Sequence, residues 1–242
     1  MRTSQQNSNH DAWENLLREF DSLDRQGAPE NPELVSQAGK LLREFEAKHD
    51  AWQKEQITRA DNFNILRTMR LSRRELCHSN ILAWLLDPKG SHSQGALGFR
   101  LFLVQFDLPE KYADMDYTVH REMSLEESQI DIVIEAKGGF IIGIENKIDA
   151  EEGDKQTERE WRDLLRRQKH LSISVAPCAF FLTPDGIVPR SENFQMISWQ
   201  LIANVFELFA AQSKAAMVQM FASHYAETIR REIAPEPGEP EL

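Results

Sequence analysis

Asp131-Ile-Val-Ile-Glu-Ala-Lys-Gly-Gly-Phe-Ile-Ile-Gly-Ile-Glu-Asn-Lys147 is the stretch on which the reading of this 242-residue chain turns. From Gln129 to Glu135, Ile130, Ile132 and Ile134 alternate with Asp131, Val133 and Glu135, the period of a half-buried strand. Lys137-Gly138-Gly139 reads as a tight turn, and Phe140 to Ile148 as a second apolar, β-branched strand. The two strands predict an antiparallel hairpin, and its register decides whether the acids meet. A three-residue loop with a glycine in the left-handed conformation pairs Ala136 with Phe140, Val133 with Gly143 and Asp131 with Glu145, whose side-chain roots are then about 5 Å apart. A two-residue Gly-Gly loop instead pairs Asp131 with Asn146 and sends the two acids to opposite faces.

Two carboxylates held this close repel unless a proton or a cation lies between them. Hard oxygen ligands suit Mg²⁺ or Mn²⁺, with water completing the shell. Lys147, two residues from Glu145, shares its face and is placed to steady a water as it turns into hydroxide and to offset phosphate charge. The alternative is an exposed polar face that happens to carry Asp, Glu and Lys. The apolar strand context, with Gly143 clearing space beside Glu145, brings the two readings level.

Asp131 with Glu145-Asn146-Lys147 resembles the signature of the PD-(D/E)xK nuclease superfamily, whose core is a restriction-endonuclease-like αβββαβ unit. Asn64-Ile-Leu66, Glu75, His78-Ser79 and Leu82-Ala-Trp-Leu-Leu-Asp-Pro88 resemble the helix preceding that core in stand-alone bacterial members, so the motifs span residues 62 to 205. The resemblance implies an α/β fold with a mixed central sheet flanked by helices. It also implies a Mg²⁺- or Mn²⁺-dependent nuclease that hydrolyses DNA by metal-activated water, in defence against foreign DNA or in DNA processing. By the same resemblance Asp131 and Glu145 ligate the metal, the Asn146 carbonyl assists, Lys147 acts on the nucleophilic water, and Glu75 is the helix acid some members add to the metal site. Gln156 matches a glutamine that orients substrate or the acids. Related nucleases carry a tyrosine four residues later, where this chain has Glu160, and Trp161 is one position late to replace it. His78 and Ser79, one helical turn after Glu75, can face the same cleft, although His78 reads more readily as a packed histidine.

The order of elements agrees with that core. Tyr117 to Met123 supplies a first strand, with Val119, Arg121 and Met123 alternating against Thr118, His120 and Glu122. Gly153 to His170 is an amphipathic helix around Trp161, Leu164 and Leu165 with a basic flank. Ala176 to Thr183 is a buried strand stopped by Pro184-Asp-Gly186, followed by a short strand from Phe194 to Trp199 and a closing helix from Gln200 to Ala211.

Composition bounds the class. With 41% hydrophobic and 28% charged residues, the chain is that of a soluble globular protein. It lacks an apolar stretch near the about 20 residues needed to span a bilayer and a signal-peptide core after Met1, so the expected location is the cytoplasm. Cys77 and Cys178 read as buried free thiols, without the histidine spacing of a zinc site. The net charge of -11 argues against a surface coated for non-specific nucleic-acid binding. Much of that deficit is local, since residues 101 to 155 carry five basic and fourteen acidic side chains. Arg70 and Arg74, read as one helical turn apart, and Arg166 on the later helix are the candidate phosphate contacts.

Residues 1–58 read as an N-terminal helical hairpin, from His10 to Arg25 and from Pro32 to Trp52. Residues 59–232 read as the nuclease-like domain and 233–242 as a disordered acidic, proline-rich tail. The hairpin either packs on the core or offers its apolar stripe to a protein partner. Two other functions stay open: a catalytically silent nucleic-acid-binding module on the same fold, and a protein-interaction adaptor built on the N-terminal helices. RNA remains open beside DNA, and a homodimer is the simplest arrangement for two cuts on a duplex.

Overall fold

Lys137, Gly138 and Gly139 form a three-residue loop in the computed structural model, which describes residues 32–59 and 63–235. Gly138 takes the left-handed conformation at φ +69°, and the Gly139 N–H closes the turn on the Ala136 carbonyl at 2.9 Å. Ala136 pairs with Phe140, Val133 with Gly143 and Ile132 with Ile144, the register anticipated for the three-residue loop, and the ladder ends one position before Asp131 and Glu145.

The hairpin is the centre of a five-stranded mixed sheet. Its strands are β1 (Thr118–Ser124), β2 (Gln129–Ala136), β3 (Phe140–Asn146), β4 (Cys178–Thr183) and β5 (Gln195–Ser198), in that spatial order. β1, β2 and β3 are antiparallel, whereas β4 runs parallel to β3 and β5 parallel to β4. β3 is buried at every position because both sheet faces are covered, which is why its sequence is a continuous apolar run rather than an alternating one.

The chain divides between Phe63 and Asn64 into two compact units. In the first, helix α1 (Pro32–Arg59) begins at the anticipated proline and runs beyond Trp52. The anticipated helix from His10 to Arg25 and the tail past Pro235 lie outside the described residues. The second unit carries the sheet with α2 (Ile65–Thr68), α3 (Glu75–Leu86), α4 (Leu97–Gln105), α5 (Gln156–His170), α6 (Trp199–Gln212) and α7 (Ala216–Thr228). Among the described residues no helix is long and apolar enough to cross a membrane.

Two cores flank the sheet. The larger joins Ile132, Ile134, Ile142 and Ile144 to Leu82, Leu86, Phe99, Phe206 and Phe209 of α3, α4 and α6. The smaller joins Val133, Ile141 and Phe181 to Leu164 of α5. Gly143 makes that second packing possible, because a Cβ there would lie 2.9 Å from Leu164 Cδ1. The space that Gly143 clears is thus filled by a helix rather than left for a ligand.

Two local expectations are corrected. Ile130 does not share a core with Ile132 and Ile134; it packs with Met123 in the smaller one. The cause lies across the ladder, where Glu122 adopts φ +47° between the pairs Arg121 with Ile132 and Met123 with Ile130, rotating the end of the hairpin. The arginines before Glu75 are not on one helix either. α2 ends after one turn, with the Arg70 N–H on the Arg67 carbonyl at 2.9 Å and the Leu71 N–H on the Leu66 carbonyl at 2.8 Å. This closure normally takes a left-handed glycine, and here Arg70 fills that place at φ +58°. Arg74 occupies the N-cap position of α3, without a side-chain capping bond.

Candidate active site

The C-terminal end of β3 gathers the chemistry. Asp131 enters from β2, and its Oδ2 accepts the backbone N–H of Asn146 at 2.9 Å, fixing the acid against the strand that carries Glu145. Glu145 is 2% exposed, and its Oε1 accepts from Lys147 Nζ at 3.0 Å and from the Gln156 amide. Gln156, in the first turn of α5, is itself held by the Gly153 N–H, which donates to its Oε1 at 3.1 Å. A glutamine so clamped turns its amide toward Glu145, and it also acts on Glu160.

Asn146 points into the opposite layer. Its side-chain amide donates to Ser79 Oγ at 3.0 Å and to the Glu75 carbonyl at 3.2 Å, and its Oδ1 accepts from Trp199 Nε1 at 3.0 Å. The asparagine between Glu145 and Lys147 thus ties the end of β3 to α3 and α6. Glu75 Oε1 accepts the backbone N–H groups of Ile148, Asp149 and Ala150 at 2.7, 3.3 and 3.2 Å. That oxygen shapes the loop after Lys147, while the charge of Glu75 still reaches Asp131 and Lys147. His78 is packed: it bonds the Tyr225 hydroxyl at 2.7 Å and the Ser72 carbonyl at 2.9 Å, and burial lowers its pKa.

Glu160, which sequence reasoning recorded only as a departure from a tyrosine, is fully buried, and neither of its carboxylate oxygens has a hydrogen-bond partner. Glu145 Oε2 is likewise unpartnered. Burial, then the charge of Glu145, pushes the Glu160 carboxyl up to about 9, with the nearby Gln156 amide pulling the other way. Burial, then Asp131, raises Glu145 to about 7 against the pull of Lys147 and Gln156. Burial also raises Asp131, opposed by the Asn146 N–H and by Lys147. Burial works against the Lys147 ammonium, yet Glu145, Glu75 and Asp131 more than offset it and its pKa is raised. The centre is short of positive charge, and its unpaired atoms are hard oxygen donors. The charge deficit and the unpartnered Glu145 oxygen beside Asp131 fit a divalent cation between those two acids.

The arginines fall into two groups. Arg166 joins Arg162 on Glu127, and it also bonds Asp163 at 2.8 Å, while Asp163 accepts the Ser128 hydroxyl at 2.8 Å. These contacts clasp the β1–β2 loop to α5, so the anticipated basic flank is engaged within the molecule. Arg70 and Arg74 are exposed and have no ion pair among the described residues. Arg73 between them pairs with Asp149 of the loop after Lys147.

A hairpin-borne acid pair with a lysine two residues on, set at the strand ends of a mixed five-stranded sheet, defines a restriction-endonuclease-like protein. The family model of the PD-(D/E)XK nuclease superfamily matches residues 63–239, and the chain belongs to that superfamily. The membership points to nuclease chemistry, and such nucleases typically use divalent metal ions. No curated protein and no solved structure matches the chain.

Proposed function

We propose that this protein is a Mg²⁺- or Mn²⁺-dependent deoxyribonuclease that hydrolyses phosphodiester bonds with water as the nucleophile. The observation that carries the reading is Glu145: a buried carboxylate with one oxygen shared by Lys147 and Gln156 and the other unpartnered, next to Asp131. A divalent cation bound there supplies charge neutralisation and a lowered pKa for coordinated water. The chain's own groups do the rest. Lys147, kept protonated by its acids, offsets the negative charge that builds on the phosphate. Gln156 and the Asn146 N–H keep Glu145 and Asp131 in fixed orientations, so little reorganisation is required during the reaction.

Attack by water needs no 2′-hydroxyl, so DNA suffices as substrate. Arg70 and Arg74 serve as phosphate contacts on the approach to the centre. For Arg70 the backbone supports this, since a non-glycine residue held left-handed costs stability and such costs gather at functional positions. The test is cleavage of linear, circular and single-stranded DNA, and of RNA, by purified protein with Mg²⁺ or Mn²⁺ and with EDTA. Metal-dependent cutting of DNA is expected. Cutting of RNA alone would reassign the substrate, and binding without cutting under all conditions would leave a silent nucleic-acid-binding module.

A further inference from the structure

The candidate centre is sunk, while a neighbouring loop stands out from the fold. Glu145 is almost wholly buried, and the Lys147 side chain is 16% exposed. The connection from β4 to β5, residues 184–194, leaves the sheet at the same end, since Asn146 pairs with Leu182 and the Lys147 N–H donates to the Leu182 carbonyl at 2.8 Å. Neighbouring strands are about 5 Å apart, so the loop starts one strand spacing from the strand end that carries Glu145 and Lys147. In it Ile187 and Val188 are 59% and 74% exposed, and Val188 is the most exposed large apolar side chain among the described residues of the second unit. The pair is braced on both sides: the Ile187 N–H donates to Thr183 Oγ1 at 2.7 Å, Pro189 is buried, and the Arg190 N–H donates to Glu152 Oε2 at 2.9 Å. Thr157 Oγ1 donates to Glu152 Oε1 at 2.6 Å and accepts the Ser191 N–H at 3.1 Å, so these bonds fix the loop to the start of α5 beside Gln156.

A lone exposed apolar side chain requires no partner, but two adjacent ones on a braced loop beside a recessed centre bear on how a substrate enters. A stacked duplex is stiff, and lying across such a rim it holds its phosphates away from a sunken centre. An apolar wedge pushed between base pairs kinks the duplex and lets one phosphate descend. The loop carries two exposed acids, Asp185 and Glu192, against the single Arg190, so it is not a phosphate clamp and its contact is with bases. We propose that Ile187 and Val188 form a wedge that unstacks the duplex at the scissile step, and that the substrate is duplex DNA with a step that is already open, such as a mismatched pair. The inference rests on the nuclease reading of the centre.

The test compares the full chain with the double variant Ile187→Ser, Val188→Ser, which changes exposed side chains and leaves the backbone bonds of the loop in place. Single-turnover cleavage with Mn²⁺ is measured on a fully paired duplex and on the same duplex with one mismatched pair. The unmodified protein is expected to cut beside the mismatch roughly 10-fold faster than it cuts the paired duplex, because the step is already open there. The double variant is expected to lose roughly 10-fold on the paired duplex and far less beside the mismatch. Equal slowing on both substrates, or slowing on neither, overturns the wedge and leaves the nuclease reading intact. A double variant that changes only the oligomeric state assigns the pair to a protein contact and likewise overturns the wedge. If the unmodified protein cuts neither substrate, the nuclease reading fails, and 2-aminopurine fluorescence of the bound duplex decides the wedge separately. Brightening with the unmodified protein but not with the double variant upholds unstacking, and equal signals overturn it.

Discussion

At the scale of single residues, Arg70 separates function from stability most cleanly. Its left-handed backbone closes α2 in a place that glycine fills without strain. Arg70→Gly is expected to raise stability by about 0.5–1 kcal/mol while weakening DNA binding, read by thermal unfolding and by affinity at two salt concentrations. Unchanged affinity would remove Arg70 from the phosphate path. Residues also show where sequence reading ran out. That Asp131, Glu145 and Lys147 would come together was legible because the loop length fixes a strand register and strand side chains alternate. Glu160 was not, although its spacing from Gln156 is plain, because within Glu158-Arg159-Glu160-Trp161-Arg162 a glutamate looks like part of a charged helix surface. Only the packing of α5 over β3 shows that it is buried. The side chain of Asn146 escaped notice for the same reason, since its partners Ser79 and Trp199 are far away in sequence.

Among the elements, α5 and β3 form the contact on which the site depends, because it sets where Gln156 and Glu160 lie relative to Glu145. Gly143 and Leu164 are its closest point. Gly143→Ala is expected to cost about 1–3 kcal/mol through overpacking. Leu164→Ala is expected to cost about 2–5 kcal/mol through the cavity it leaves. Combined, the two should cost less than their sum, since the added methyl enters the vacated space; denaturant unfolding of the four proteins measures this. Simple additivity would mean that Gly143 is not kept small by Leu164. The hairpin and α5 were readable from periodicity alone. The rotation that moves Ile130 to the other core was not, because it originates in the backbone of Glu122, a residue whose type gives no hint of a left-handed φ. α4 and α7 were likewise missed. α4 is apolar around most of its circumference and carries Gly98 near its start, so it lacks the stripe that marks a helix facing one core.

For the whole molecule, the acids of the centre couple folding to pH, and under the proposed function to metal. An unfolded glutamate titrates near 4.3, roughly, whereas Glu145 is raised to about 7 and Glu160 to about 9. Between those limits the folded protein binds more protons than the unfolded chain, so stability without metal falls as pH rises. From about pH 7 to 9 the effect is isolated from His78, whose lowered pKa acts only below its ordinary range near 6.5. In EDTA the melting temperature is expected to drop by several degrees across that window. Glu160→Gln should flatten the drop, and Mn²⁺ should reverse it by binding the ionised acids. A melting temperature that climbs with pH in EDTA would contradict the assignment of unpaired acids to this centre.

Under the proposed function Asp131, Glu145 and Lys147 make a hydrolytic centre rather than a binding surface. Single-turnover cleavage of DNA with Mn²⁺, measured beside DNA affinity for the unmodified protein and Lys147→Ala, tests it most directly. EDTA is expected to abolish cleavage, and Lys147→Ala to slow it by roughly 10²-fold or more, with affinity changed far less. Equal cleavage rates for the two proteins would contradict it.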